Sequence, residues 1–167
     1  MKYFSFDAET DGLYGDTFAI GAVLIDSDGT ILDSFSGKCV TPGIESVWVR
    51  ENSLPHLDNL PDFESRAKLG EAFWEFYLRH REGSVVLTDV PYPVEAQLLR
   101  RCVEIDPETR AILGPYPLID VASMLYARGF DPHLDRRAFG GYSGPVHNPL
   151  DDAIASALCA IRLTCTE

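Results

Sequence analysis

The chain has 167 residues, 46% of them hydrophobic, so it can bury a core of the size usual for one domain, which we expect to span residues 1–167. No stretch approaches the twenty apolar residues of a membrane span, and the first seven residues run into an acid instead of a signal-peptide core. We therefore expect a soluble, cytoplasmic protein.

The net charge of −12 argues against a protein that coats a duplex through Lys and Arg, unless bound cations invert the local charge. The four cysteines match no zinc or disulfide spacing and are predicted to be free thiols.

The predicted elements begin with three antiparallel strands and continue as alternating strands and helices. Strands are predicted at residues 2–7, 17–25 and 30–39, with Asp26-Ser27-Asp28-Gly29 as the turn between the last two. Residues 42–61 show no clear period. The later predictions are a helix at 62–80 capped by Asp62, a strand at 84–88, a helix at 94–104, a strand at 118–119, a helix at 121–127, a Gly-rich loop at 129–146 and a helix at 149–163. This order predicts an α/β fold, a ribonuclease H-like mixed sheet of an antiparallel meander plus parallel strands, flanked by helices.

Two acidic residues follow the first predicted strand. Asp7 and Glu9 lie two positions apart, so their side chains leave the strand on the same face and can hold one cation between them. Taken alone, such a pair is also compatible with a solvated turn. The longer run Asp7-Ala8-Glu9-Thr10-Asp11-Gly12-Leu13 is more specific than the pair.

A histidine and an aspartate lie at the start of the last predicted helix. His147 stands five residues before Asp152, and Asn148 and Pro149 suit the N-cap and the first helical position. Asp151 and Asp152 both favour the positive end of a helix dipole, which we accept as sufficient for Asp151 only.

Together these two runs resemble the first and third motifs of the DEDDh 3′-5′ exonucleases, the ribonuclease T and proofreading-exonuclease family. The resemblance implies hydrolysis with two Mg²⁺ or Mn²⁺ ions, held by Asp7, Glu9, Asp152 and a middle carboxylate. It implies that His147 is the general base. It also implies that Thr10 and Leu13 contact the sugar and base of the terminal nucleotide, and that nucleoside monophosphates are released from the 3′ end of RNA or single-stranded DNA.

The middle motif departs from the family pattern, which has an Asn, a short turn and then an Asp that opens a helix. Here Asp89 directly ends a predicted strand, and Glu95 has the helical phase of the family's Asp, with Leu98 and Leu99 after it. We favour Asp89 as the ligand, on its placement beside the first strand, and keep Glu95 as the alternative.

Two further segments fit the same interpretation. The stretch from Leu134 to Gly144 combines two arginines, two aromatic residues and three glycines, as in a flap over a nucleic-acid end, although a plain loop fits as well. The run from Trp48 to Pro55 is similar to a segment of a compact phage and actinobacterial subgroup of the family, in which Trp48 or Arg50 would line the substrate groove. RNA is weakly preferred as substrate, and a homodimer is one possibility.

Two other functions compete with this interpretation. Asp26-Ser27-Asp28-Gly29-Thr30 resembles the nucleophile motif of haloacid dehalogenase-like phosphatases, which would also need Thr88 and a later Lys that the sequence lacks. The altered middle motif would also suit a catalytically inactive nucleic-acid-binding module.

Overall fold

A computed structural model describes residues 1–40 and 43–165. The strands are β1 (Lys2–Thr10), β2 (Thr17–Asp26), β3 (Ile31–Lys38), β4 (Ser84–Thr88) and β5 (Ile119–Asp120). The helices are α1 (Val47–Asn52), α2 (Arg66–His80), α3 (Val94–Glu104), α4 (Pro107–Arg110), α5 (Val121–Ala127), α6 (Arg136–Gly140) and α7 (Pro149–Cys165), with a 3₁₀ turn at Leu54–His56.

The five strands form one mixed sheet in the order β3-β2-β1-β4-β5. The first three strands pair antiparallel, whereas β1 pairs with β4 and β4 with β5 in parallel. Because β1 is central, its carboxyl end lies beside that of β4, where the loops of a parallel pair place functional groups. This architecture confirms the predicted ribonuclease H-like fold.

Helices cover both faces of the sheet, because β2 is buried and apolar on both sides and most of β1 is buried on both sides. Phe4 and Phe6 pack on one face against α2 and α3, and Tyr3 packs on the other against α5 and α7. Since side chains alternate along a strand, Asp7 and Glu9 project on the Tyr3 side, toward α7. A third cluster, around Phe18, joins β2 to α1.

Most predicted elements match the structure, and the differences have local causes. Helix α2 begins at Arg66 because the Ser65 side chain accepts a hydrogen bond from the backbone of Lys68, whereas the predicted cap Asp62 pairs with Lys38 instead. The predicted loop 129–146 contains α6. In residues 42–61, which showed no period, α1 forms with Ser46 as its cap.

None of the four cysteines forms a disulfide; Cys39, Cys102 and Cys159 are buried and Cys165 is exposed. Within residues 1–40 and 43–165, no helix has the length and apolar character needed to cross a bilayer.

Candidate active site

Three carboxylates from two elements converge where β1 meets the start of α7. Asp7 and Glu9 lie near the end of β1, and Asp152 lies in the first turn of α7; one oxygen from each lies within 4.8 Å of the others. The Asn148 side chain fixes this turn, since its Oδ1 accepts a hydrogen bond from the Leu150 backbone at 3.1 Å. The structure thus brings together the acidic residues of the two separated sequence motifs.

The close approach of α7 depends on a glycine in β2. Gly21 pairs with Asp7 across the β1–β2 ladder, and a Cβ there would collide with the backbone of Pro149 and Leu150. A glycine inside an apolar strand often marks such a close backbone approach.

The negative charges of the three carboxylates repel one another. Burial, followed by the charges of Glu95, Asp152 and other nearby acids, raises the pKa of Asp7 well above its usual range. Burial also raises the pKa of Glu9 to about 7, and the Ser53 hydroxyl beside it only partly offsets this. Because like charges at short range disfavour joint ionisation, a divalent cation bound between these carboxylates would favour their ionised forms.

The two candidates for the middle carboxylate both lie beside this cluster, in different environments. Asp89 follows β4 directly and lines the same cleft as Asp7, and its Oδ1 accepts a hydrogen bond from Arg136 Nη2 at 2.7 Å. Glu95 is buried in the first turn of α3, and its Oε1 accepts a hydrogen bond from the Ala8 backbone at 3.3 Å. Burial raises the pKa of Glu95 to about 8.

Two adjacent arginines of α6 contact carboxylates of the site. The sequence had not indicated which residues they would contact. Arg136 binds Asp89, and Arg137 Nη1 binds Asp152 Oδ1 at 2.7 Å. Arg137 also donates to the carbonyl of Gly144 at 3.1 Å and to that of Pro145 at 2.5 Å. Arg137 therefore joins Asp152 to the loop that leads to His147.

That loop places His147 at the edge of the carboxylate group. The His147 backbone has a φ of 58°, a left-handed conformation that is uncommon for residues with a side chain. Its ring meets the Trp48 ring edge-on, with 5.3 Å between the centroids. Burial raises the pKa of Asp152, and Arg137, followed by His147, partly offsets this. The Asn148 side chain donates to the carbonyl of His56 at 3.2 Å and so anchors the loop.

Three pockets adjoin these carboxylates. One of them is lined by Arg136 and Arg137 together with Asp7, Asp89 and Asp152, and the other two are the carboxylate cleft and the Trp48 pocket. The carboxylate cleft is lined by Asp7, Glu9, Leu13, Asp89, Val90, Tyr92, Glu95, His147 and Asp152. The Trp48 pocket is lined by Glu9, Thr10, Leu13, Ser46, Trp48 and Val49. Four residues line both the cleft and the Trp48 pocket and so lie between them: Ala8, Glu9, Leu13 and Val94. Arg50, the other groove candidate, instead donates to the carbonyls of Ile44 and Glu45.

The residues of the phosphatase alternative are not brought together. Asp26 pairs with Lys2 at the opposite end of β1 from Asp7, and its carboxylate lies 3.5 Å from the N-terminal amine. Thr88 is buried at the carboxyl end of β4. The hairpin turn is therefore a sufficient explanation of the Asp-Gly sequence.

Two solved structures have folds similar to that of this chain. The nuclease domain of 3′hExo, a DEDDh family member bound to rAMP, matches with a TM-score of 0.57 and 16% identity over 98% of this chain and 91% of that chain. The zinc-ion-bound complex of E. coli ExoI with ssDNA matches with a TM-score of 0.65 and 13% identity, again over 98% of this chain, which spans 40% of the ExoI chain. No family model and no curated protein matches the sequence. At these identities the likeness shows the fold alone, which this chain shares with the nuclease domain of 3′hExo and with ExoI.

The residues present fit a divalent metal. Carboxylate oxygens are the ligands that Mg²⁺ and Mn²⁺ prefer. The cluster of Asp7, Glu9 and Asp152 supplies such oxygens within mutual reach, and its like charges call for a cation.

Proposed function

We propose that this protein is a metal-dependent 3′-5′ exonuclease that hydrolyses RNA or single-stranded DNA. The observation that carries the proposal is the convergence of Asp7, Glu9 and Asp152 in a cleft that also contains His147, on a fold shared with DEDDh nucleases. The solved neighbours hold rAMP and ssDNA, which supports a nucleic-acid substrate. RNA keeps the weak preference given above, and the homodimer stays a prediction.

The metal ligands would be Asp7, Glu9, Asp152 and one middle carboxylate, with Mg²⁺ or Mn²⁺ in two sites. Bound divalent cations supply Lewis-acid stabilisation of the phosphate and lower the pKa of water. For the middle position, the contacts favour Glu95, because it is buried against β1, its charge raises the pKa of Asp7, and the described contacts include no ion pair of Glu95. Asp89 is paired with Arg136, but Asp152 is paired with Arg137 at the same distance, so the ion pair alone does not exclude Asp89 as a ligand. The preference for Asp89 that the sequence suggested stays a prediction. The nuclease activities of Asp89→Ala and Glu95→Ala decide which carboxylate is the ligand.

The chain's own residues would divide the remaining work. His147 lines the cleft beside Asp152, where an imidazole can take the proton of the attacking water. Arg137 holds the His147 loop against Asp152 and so fixes the direction of that ring. Thr10 and Leu13 line the Trp48 pocket, which would receive the terminal nucleoside.

The test is a time course on a 5′-labelled single strand of RNA and of DNA, with Mg²⁺, Mn²⁺ or EDTA. A ladder that shortens one nucleotide at a time, requires metal and disappears with Asp7→Ala supports the proposal. Asp58, an exposed residue whose side chain lies outside both pockets, gives the matched control variant Asp58→Ala. A correctly folded protein that leaves both strands intact would refute the activity and favour the inactive-module alternative.

A further inference from the structure

Two exposed tyrosines stand together at the mouth of the carboxylate cleft. Tyr14 follows Leu13 in the loop after β1, and Tyr92 lies between β4 and α3. Their ring centroids are 6.5 Å apart with an interplanar angle of 68°, although Tyr14 is 69% and Tyr92 71% exposed. Tyrosines of this exposure leave most of their ring area in water, so the pair has unused capacity for stacking.

The pair continues an apolar rim along one side of the cleft. Leu13 and Val90 are also exposed and line the same cleft. Val90 has a φ of 48°, which is strained for a β-branched residue, and a hydrogen bond of 3.0 Å from its backbone to Asp120 Oδ1 holds it there. The chain therefore keeps an apolar side chain at this rim at a cost in backbone energy.

The carboxylate cleft and the Trp48 pocket offer few positively charged side chains that a phosphate group could bind. Among the described residues that line the carboxylate cleft and the Trp48 pocket there is no Lys or Arg. Arg136 and Arg137 line the neighbouring pocket that shares Asp7, Asp89 and Asp152 with the cleft, and both are paired with carboxylates. Since the chain also carries a net charge of −12, we expect Lys and Arg contacts with phosphates to supply only a small part of its affinity for a strand.

We propose that the Tyr14–Tyr92 pair stacks against the base of the nucleotide next to the 3′-terminal one, so that bases, more than phosphates, hold the substrate. The proposal rests on the exonuclease function above. It follows from the arrangement of the pockets: if the terminal nucleoside occupies the Trp48 pocket, the strand must cross Leu13 to reach the next position, where Tyr92 lines the cleft. Stacking of this kind tolerates any base and requires a single strand whose bases are unpaired.

The first test compares Tyr92→Ala and Tyr92→Phe on a 12-nucleotide single strand and on the same strand with an abasic nucleotide next to the 3′ end. We expect kcat/KM of the wild type to fall about tenfold on the abasic strand, and Tyr92→Ala to cause the same loss on the normal strand. The two losses should not multiply, and Tyr92→Phe, which retains the ring, should lose clearly less kcat/KM than Tyr92→Ala. Tyr126→Ala is the matched control, since Tyr126 is 75% exposed on α5 and lines neither pocket.

Unchanged kcat/KM in Tyr92→Ala, or losses that multiply, would overturn the stacking proposal while the ladder itself upholds the exonuclease. Absence of a ladder in the wild type would instead refute the proposed function. A second measurement is the slope of log kcat/KM against log salt at constant metal. We expect a slope shallower than about −0.7, the value for one phosphate contact on a single strand. A steeper slope would show that phosphates dominate and would overturn the proposal.

Discussion

Gly21 on β2 lies against the backbone of Leu150 so closely that a Cβ at Gly21 would approach the Leu150 nitrogen well under 3.0 Å. Gly21 is also the cross-strand partner of Asp7. One missing side chain therefore sets the distance between the strand that carries Asp7 and the helix that carries Asp152. The contact links packing directly to the geometry of the site.

Gly21→Ala should lower both stability and activity, because the new methyl group meets backbone atoms that cannot rotate away. We expect a loss of about 1–3 kcal/mol in the free energy of unfolding, as for other overpacked sites, and a strong loss of nuclease activity. Urea denaturation and the ladder assay measure the two effects. Gly114→Ala is the matched control, because a Cβ there meets nothing within 4 Å, and it should change stability by less than about 0.5 kcal/mol. Equal behaviour of the two variants would show that α7 does not depend on Gly21.

Asp7→Asn should stabilise the metal-free protein and abolish its stabilisation by metal. Burial and the neighbouring acids raise the pKa of Asp7, so the ionised side chain is unfavourable when no cation is present. In EDTA the Tm of Asp7→Asn should exceed that of the wild type, whereas added Mn²⁺ should raise the Tm of the wild type alone. Thermal unfolding with and without Mn²⁺ gives both values. A lower Tm of the variant in EDTA would mean that the cluster is not strained by its own charge.

The stability of the metal-free protein should fall between pH 5.5 and pH 8. The pKa of Glu9 is raised to about 7 and that of Glu95 to about 8, from 4.5, so over this range the folded protein binds more protons than the unfolded chain. The contribution is complete below about pH 4.5 and is lost as the pH rises toward 8. The Tm in EDTA should drop by at least about 3 °C, the shift that 1 kcal/mol produces in a chain of this size.

Glu95→Gln should flatten this pH dependence, since the amide does not titrate. Exposed Glu108 on α4 provides the control variant Glu108→Gln, which should retain the wild-type slope. The acids whose pKa values are lowered, such as Asp11 and Asp33, titrate below this range and do not obscure it. A Tm in EDTA that rises between pH 5.5 and 8 would contradict the assignment of the raised pKa values.

Arg137→Lys should reduce kcat more than it raises KM. The guanidinium contacts Asp152 and two loop carbonyls at once, and the single ammonium of Lys cannot reach all three. Loss of an outer contact to a metal ligand typically costs about 10- to 100-fold in activity. Steady-state kinetics with Arg100→Lys as control tests this, because Arg100 is exposed and pairs only with Glu104 on its own helix among the described contacts. A wild-type kcat in Arg137→Lys would show that Arg137 does not position His147.

Local signals in the sequence were sufficient where an element is stabilised by its own pattern. The predicted bounds of β4, α3 and α5 agree with the structure, because each has a clear apolar pattern between breakers. Helix α6 was missed because glycines surround it, although Asp135 caps its start and Gly141 ends it at a φ of 76°. Those two signals could have identified it.

The site could be predicted only in part. Asp7, Glu9 and Asp152 were placed together by motif, and the structure shows that their oxygens converge. The pairing of Arg136 with Asp89 could not be foreseen, because it depends on where α6 packs on α7 and not on any local pattern. The same holds for the edge contact between Trp48 and His147, which joins residues about a hundred positions apart in the sequence.

The most direct test of the central claim is the order in which label leaves a single strand. A 12-nucleotide strand labelled in its 3′-terminal nucleotide and the same strand labelled at its 5′ end are each incubated with wild type and with His147→Ala in Mn²⁺. We expect the wild type to release the 3′ label at once as a nucleoside monophosphate and to release the 5′ label last. His147→Ala should release neither label at a comparable rate. Early release of the 5′ label, internal fragments, or undiminished activity of His147→Ala would contradict a 3′-5′ exonuclease that depends on this histidine.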